Sequence, residues 1–240
     1  MQLKIAKTKQ QTAIDFTNWL IERIHSSDTL HVALSGGSTP KIVFDELAAR
    51  KLSADDWEKV HLYWGDERCV PPDNSESNYK MTVEHLISKI EIPQANVHRV
   101  KGENDPAKEA KRYAAVLKDK LPIVEGLPQF DLIILGMGDD GHTASIFPHE
   151  IDLWDADPLC EVAEHPETGQ KRITITGKVI NHAAIVAFLV TGESKAEKVG
   201  QIHDQRAGYM TYPAHLVRPN SGKLFWFLDE PAAAEIRGRS

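Results

Sequence analysis

Two glycine-containing segments of this sequence carry side chains that could bind an anion and move a proton. The first is SGGSTP at 35–40, which follows an apolar run and precedes a helical pattern. Glycines let backbone N–H groups approach a ligand, Ser38 or Thr39 can cap the helix, and Pro40 suits its first turn. A capped turn without a ligand is the alternative, but two adjacent glycines and two hydroxyls exceed what a cap requires. We therefore predict a phosphate site at Ser35, Gly36, Gly37, Ser38 and Thr39.

The second segment is GMGDDGH at 136–142, after the apolar run 130–135. Its literal match to GxGxxG suggests a dinucleotide site, but that motif needs a full crossover helix, and Pro148 interrupts the chain seven residues after Gly141. What remains is Asp140 and His142 at the carboxyl end of a buried strand. A histidine there can act as a general base, since its usual pKa is about 6.5. A histidine with only a structural role is the alternative, but the nearby Asp140 favours a catalytic role for His142.

Three cations are candidates for holding an anionic ligand. Arg68 ends GDER at 65–68, after another apolar run, and could bind an anion or stabilise an oxyanion. A salt bridge to Asp66 or Glu67 is the alternative. Arg172 stands at the start of a predicted strand and Lys195 near the start of a predicted helix. Each alone is more often a solvated charge, but together with the glycine loop they form a set of local cations.

The elements that must position these residues alternate between strand and helix. Predicted strands are continuous apolar runs at 30–34, 60–64, 96–100, 130–135, 173–176, 184–190 and 223–228. Such runs are typical of parallel strands buried on both faces. Predicted helices cover 10–25, 41–50, 78–90, 193–202 and the segment after Asp105-Pro106. The alternation predicts one α/β domain over 1–240, a doubly wound, mostly parallel sheet with helices on both faces. A boundary within the uncertain stretch 148–171 is the alternative.

Composition excludes several classes of protein. The net charge of −7 argues against a nucleic-acid or anionic-membrane surface, so an anionic ligand requires a few local cations. The longest wholly apolar run, 183–190, has eight residues, and we identify no transmembrane span or signal peptide. Cys69 and Cys160, far apart and without a CxxC, indicate reduced thiols in a cytoplasmic protein. GxSxG and HExxH motifs are absent, so serine-hydrolase and zinc sites lack their signatures.

Taken together, the motifs resemble those of the 6-phosphogluconolactonases, within the glucosamine-6-phosphate isomerase/6-phosphogluconolactonase family. The resemblance runs from about residue 10 to 230 and rests on SGGSTP (35–40), GDERCVP (65–71), SNYKM (77–81), GMGDDGHTASIFP (136–148), RITITGKVIN (172–181) and TGESKAE (191–197). It implies a modified Rossmann-like fold and hydrolysis of 6-phospho-D-glucono-1,5-lactone in the oxidative pentose phosphate pathway. The implied partner is this phosphosugar lactone, with neither nucleic acid nor membrane.

The resemblance also implies roles for the candidate residues. Ser35 to Thr39, Arg172 and Lys195 receive the phosphate. His142 takes a proton from water that attacks C1 and later protonates the departing ring oxygen. Arg68 binds substrate and stabilises the developing oxyanion, whereas Asp140 and Asp66 orient His142 or hold sugar hydroxyls. No cofactor, metal or covalent intermediate is expected, because a δ-lactone is already an activated ester.

Two other functions are compatible with the same fold. The related glucosamine-6-phosphate deaminases resemble GDGHIAFNEP in this motif, with a catalytic glutamate before the proline, where this chain has Phe147. A sugar-phosphate-sensing module of a transcriptional regulator would need a DNA-binding segment, for which the sequence leaves no room before its first predicted helix. We therefore favour the lactonase, as a monomer or homodimer.

Overall fold

The computed structural model describes residues 1–238, and residues 239 and 240 of the predicted domain lie outside the described residues. Its strands are β1 (Gln2–Ala6), β2 (Leu30–Leu34), β3 (Val60–Trp64), β4 (Asp66–Arg68), β5 (Ile123–Val124), β6 (Leu127–Pro128), β7 (Leu132–Leu135), β8 (Cys160–Glu164), β9 (Lys171–Ile175), β10 (Val186–Val190) and β11 (Leu224–Asp229). Its α-helices are α1 (Lys9–Ser26), α2 (Ser38–Ala49), α3 (Ala54–Glu58), α4 (Asn78–His85), α5 (Pro106–Lys120), α6 (Gly177–His182) and α7 (Ala196–His203).

Six strands form the main sheet in the order β1-β11-β10-β7-β2-β3, and every neighbouring pair is parallel. The central strands are buried along their length, as their unbroken apolar sequences predict. The predicted α/β class with a doubly wound, mostly parallel sheet is confirmed. The chain passes from β2 outward to β3, and from β7 in the opposite direction to β10. The gap between β2 and β7 is therefore a topological switch point, where open α/β sheets bind ligands.

Local capping by side chains fixes the starts of α1 and α5. Thr8 caps α1 by accepting a hydrogen bond from the N–H of Gln11, and Asp105 caps α5 with proline in the first turn. The apolar face of α5 buries Ala110, Tyr113 and Leu117, whose spacings of three and four residues place them on one side of the helix.

A second, antiparallel sheet in the order β4-β9-β8 was not predicted. The run at 173–176 was expected in the main sheet, but it belongs to β9, which pairs only with β4 and β8 among the described residues. The uncertain stretch 148–171 contains a 3-10 segment, Pro148–Trp154, and then β8. This small sheet carries Asp66, Arg68 and Arg172.

Four other expectations need correction. The run at 96–100 is not a strand: it follows a 3-10 turn, Gln94–Asn96, and only Val97 forms a bridge, to Leu62. The helix predicted over 78–90 ends at His85, with a 3-10 turn, Ile87–Lys89, after it. The helix predicted from 41 begins at Ser38. The helix predicted over 193–202 begins as a 3-10 turn, Glu193–Lys195, before α7.

Three histidines stack along the β2 and β3 edge of the sheet, and we call His31, His61 and His98 the histidine cluster. The His61 and His98 rings are nearly parallel, with centroids 5.6 Å apart, and His31 lies 4.8 Å from His61. Burial lowers the pKa of all three side chains, and the charge of His61 adds to this effect at His98.

One hydrophobic cluster extends from Ala13 in α1 to Ile236 near the end of the described chain. No helix among residues 1–238 combines the length and the apolarity that crossing a membrane requires.

Candidate active site

A cavity of about 180 Å³ lies at the carboxyl edge of the main sheet, at the switch point between β2 and β7. Ser35 follows β2 directly and Gly136 follows β7, so both glycine-containing segments enter it. The cavity is lined by Ser35, Gly36, Gly37, Asp66, Arg68, Asn78, Gly136, Met137, Gly138, His142, Ala144 and Arg172. The fold thus brings the predicted base, two predicted arginines and part of the predicted phosphate loop into one space.

The His142 ring is fixed by its aspartate neighbour. Nδ1 of His142 lies 2.6 Å from Oδ1 of Asp140, and the same oxygen accepts the backbone N–H of His142 at 3.0 Å. An ionised carboxylate only accepts hydrogen bonds, so Nδ1 must carry the proton in the neutral ring. Nε2 then presents a lone pair, and it has no hydrogen-bond partner among residues 1–238. This is the tautomer that a general base requires.

Asp140 is held in its charged form. Burial by itself raises the pKa of this carboxyl group, but the hydrogen bond and charge of His142 outweigh burial and lower the pKa to about 2. Asp140 is therefore ionised throughout the neutral range and accepts the Nδ1–H of His142.

Two glycines of this loop lie where a side chain would collide with a neighbour. A Cβ on Gly138 would lie 2.2 Å from Nδ1 of His142 and 2.6 Å from Oδ1 of Asp140. Gly141 has a φ of +83°, which favours glycine, and a Cβ there would lie 2.6 Å from the Tyr212 ring. The buried Phe147 ring packs against the histidine, with its centroid 4.6 Å from that of His142.

The two cavity arginines are direct neighbours on adjacent strands of the second sheet. Arg68 in β4 pairs in register with Arg172 in β9. Nε of each is buried without a hydrogen-bond partner, and neither guanidinium forms a salt bridge among the described residues. Burial lowers the pKa of Arg172, and the nearby charge of Asp66 opposes that effect. The salt bridge from Arg68 to Asp66 or Glu67 that the sequence left open is absent. Nη1 of Arg68 donates a hydrogen bond of 2.5 Å to the carbonyl oxygen of Glu76. The remaining guanidinium donors of the two arginines can bind an anionic ligand.

Glu67 explains why Arg68 is not paired with it. The Glu67 carboxylate is buried and accepts the backbone N–H groups of Asn78 and Tyr79, both at 2.8 Å, together with the hydroxyl of Ser77. Burial raises the pKa of Glu67, although these hydrogen bonds oppose the rise. Glu67 thus anchors the start of α4 and is not among the residues that line the cavity.

The predicted phosphate loop lies at the N-terminus of α2. The helix begins at Ser38 after Gly37, whose φ of +111° lets the backbone turn there. The expected cap by Ser38 or Thr39 is wrong, because no side chain caps this helix and its first turn has no acidic residue. The first N–H groups of α2 therefore keep their capacity for an anion. Thr39 Oγ1 instead contacts Thr191 Oγ1 at 2.7 Å.

Lys195 does not line the cavity, unlike the other predicted cations. Its Nζ lies 2.7 Å from Oδ1 of Asp139, and the Ser194 hydroxyl donates to the same oxygen. The Thr191 contact still places the turn that carries Lys195 beside the start of α2.

Asp66 is buried and connects three parts of the site. Its Oδ2 accepts the Ser145 hydroxyl at 2.7 Å, and its carbonyl oxygen accepts Nδ2 of Asn78 at 3.0 Å. Asp66 thus joins the glycine-rich loop after β7 to α4. It does not contact His142, so it does not orient that ring directly.

Asn78 is a cavity residue that sequence reasoning did not single out. Its amide occupies the space where Gly36 lacks a side chain, since a Cβ on Gly36 would lie 1.9 Å from Oδ1 of Asn78. The motif SNYKM contains it, but nothing in the residue types marks Asn78 rather than Ser77 or Tyr79. Within residues 1–238, no three His, Cys, Asp or Glu side chains are grouped so as to hold a metal ion.

The fold and the cavity define a class: doubly wound α/β proteins with a polar ligand site at the carboxyl edge of the sheet. The family model of glucosamine-6-phosphate isomerases/6-phosphogluconolactonase matches residues 5–226. The chain belongs to this family.

Individual relatives agree with this assignment. The 6-phosphogluconolactonase of Haemophilus influenzae is 45% identical over 204 residues, which cover 85% of this chain and 86% of that protein. The crystal structure of devB protein is 43% identical, with a TM-score of 0.93 and coverage of 98% of this chain and 99% of that one. A monomeric glucosamine-6-phosphate deaminase has a TM-score of 0.82 at 17% identity, covering 98% of this chain and all of that one, and therefore shares the fold.

Proposed function

We propose that this chain hydrolyses 6-phospho-D-glucono-1,5-lactone to 6-phospho-D-gluconate, with His142 activating the water. The observation that carries the proposal is the His142 ring, fixed on Asp140 through Nδ1 in a cavity that also holds two arginines, each with an unpartnered Nε. The activity is the one for which the Haemophilus influenzae relative is named.

The reaction begins with Nε2 of His142 taking a proton from water as its oxygen attacks the lactone carbonyl carbon, C1. The ring becomes an imidazolium whose Nδ1–H remains on the ionised Asp140. When the C1–O bond of the ring breaks, Nε2 returns the proton to the departing ring oxygen. His142 thus ends in its starting tautomer, and water has been added across the ester.

The cations divide between the two ends of the substrate. Arg68 stabilises the negative charge that develops on the carbonyl oxygen during the attack. Arg172, the start of α2 and Lys195 receive the phosphate. Lys195 exchanges Asp139 for a phosphate oxygen when substrate arrives, because its Nζ is held by that carboxylate in the unliganded chain.

Hydrolysis of freshly generated lactone by wild type and His142→Ala tests this function, after subtraction of the spontaneous rate. We expect a loss of roughly 100- to 10,000-fold in kcat, the usual contribution of a general base. His25→Ala is the matched control, because this histidine is exposed on α1. Arg172→Ala should mainly raise KM, since the phosphate does not react. Near wild-type turnover by His142→Ala would overturn the mechanism.

We further propose that the chain acts as one domain in the cytoplasm. The single hydrophobic cluster from Ala13 to Ile236 supports one domain. Cys69 and Cys160 are both free, as is usual in a reducing compartment. Burial raises the pKa of Cys69 to about 11, so this thiol is protonated and weakly nucleophilic near neutral pH.

A further inference from the structure

Lys9 reaches the predicted phosphate loop from a distant part of the chain. It is the first residue of α1, and its Nζ donates a hydrogen bond of 2.6 Å to Oγ of Ser38, the first residue of α2. The Thr8 cap fixes the start of α1. A second contact, from Gln10 Nε2 to Glu46 at 2.7 Å, ties α1 to α2. The ammonium group is therefore positioned by two helices.

The charge of Lys9 is not neutralised by the described residues. No carboxylate among residues 1–238 lies within 4.0 Å of its Nζ, whereas Lys195 is paired with Asp139. Its hydrogen-bond partner is a neutral hydroxyl at a helix N-terminus that has no acidic residue in its first turn. An ammonium group and uncapped backbone N–H groups beside each other form a site that favours an anion.

We propose that Lys9 is a specificity-determining residue that binds the phosphate of the substrate together with Ser38 and the start of α2. The proposal rests on the function proposed above and adds a cation that the sequence motifs do not contain. When a phosphate oxygen binds at the N–H groups of α2, Nζ of Lys9 donates a hydrogen bond to that oxygen, either instead of the Ser38 hydroxyl or in addition to it. Because Lys9 touches only the non-reacting end, it raises affinity for phosphorylated lactones and leaves the chemical step unchanged.

Lys9→Met tests the proposal, with Lys7→Met as the matched control. Lys7 is exposed two residues earlier, so its substitution changes net charge equally and controls for long-range attraction. We expect Lys9→Met to raise KM for the phosphorylated lactone roughly 5- to 30-fold with kcat unchanged, as for loss of a charged hydrogen bond. Hydrolysis of unphosphorylated glucono-1,5-lactone should be unchanged, and Lys9→Arg should retain most of the affinity.

Calorimetric titration with 6-phosphogluconate separates this proposal from the proposed function. Lys9→Met should bind it at least about fivefold more weakly than Lys7→Met. Equal affinity of the two variants, or equal losses of kcat/KM on both lactones, would overturn the role of Lys9 even if the wild type is active. A wild type that binds 6-phosphogluconate through Lys9 but does not hydrolyse the lactone would contradict the proposed function alone.

Discussion

Replacing Asp140 by Asn tests whether charge, and not only geometry, makes His142 an effective base. The amide is the same size as the carboxylate, and its oxygen can still accept both His142 hydrogen bonds, at Nδ1 and at the backbone N–H. What disappears is the negative charge 2.6 Å from the ring that becomes an imidazolium in the transition state. The chemical step should therefore slow without loss of substrate binding.

The magnitude follows from the pKa of Asp140. Its fall from 3.8 to about 2 is a preference for the charged form worth about 2.5 kcal/mol at about 1.4 kcal/mol per pKa unit. The Asp140 side chain is 41% exposed, so solvent screening reduces the free energy with which its charge stabilises the imidazolium to about 1–1.5 kcal/mol. This corresponds to a decrease in kcat of roughly 5- to 15-fold.

The assay compares kcat and KM of wild type, Asp140→Asn and Asp139→Asn on fresh lactone. Asp139 is the adjacent carboxylate, but it pairs with Lys195 and not with His142. We expect kcat to fall in Asp140→Asn alone, and the effect of Asp139→Asn to be confined to KM. An unchanged kcat in Asp140→Asn, or an equal fall in both variants, would refute the assignment of Asp140 as the partner of the base.

Two further predictions concern packing and acid stability. Gly138→Ala places a Cβ 2.2 Å from Nδ1 of His142, so turnover should fall at least about tenfold while thermal unfolding stays cooperative. Wild-type turnover would contradict this. In the histidine cluster, burial holds the pKa of His98 at about 4, below its unfolded value of 6.5. The unfolded chain binds the proton first, so stability present above pH 6.5 is lost as pH falls toward 4. Urea denaturation should show a loss of about 1 kcal/mol between pH 7 and 5, which His98→Asn should reduce.

The main sheet was predictable because its buried strands have unbroken apolar sequences. β1 was missed because it lies at the sheet edge, where Leu3 alternates with charged Lys4 and most positions are exposed. β4 was missed for a different reason, since Asp66 to Arg68 contains no apolar residue at all. It forms because β9 supplies a pairing partner and because the polar side chains of Asp66 and Glu67 find buried hydrogen-bond partners.

In the candidate site, contacts between residues close in sequence were predictable, whereas contacts between distant residues were not. Asp140 and His142 are two residues apart, so the sequence alone placed the pair together. Lys9 and Ser38 are 29 residues apart, and only the packing of α1 on α2 brings them into contact. A lone lysine near the N-terminus carries no pattern by which sequence reasoning could select it.

Position 147 is where this chain differs from the deaminase motif in a residue that bears on the proposed reaction. The glucosamine-6-phosphate deaminase that shares the fold shows that the sheet and its switch point do not by themselves select the reaction. Ring opening and isomerisation of an amino sugar require additional proton transfers, which the deaminase motif is expected to assign to a glutamate where this chain has Phe147. Here that side chain is a buried phenyl ring, 4.6 Å from the His142 ring and beneath the Arg172 guanidinium. A phenyl ring carries no exchangeable proton, so position 147 cannot supply those additional transfers, and the proposed hydrolysis relies on His142. Lactone hydrolysis needs only that one group, because the proton taken from water is returned to the leaving oxygen.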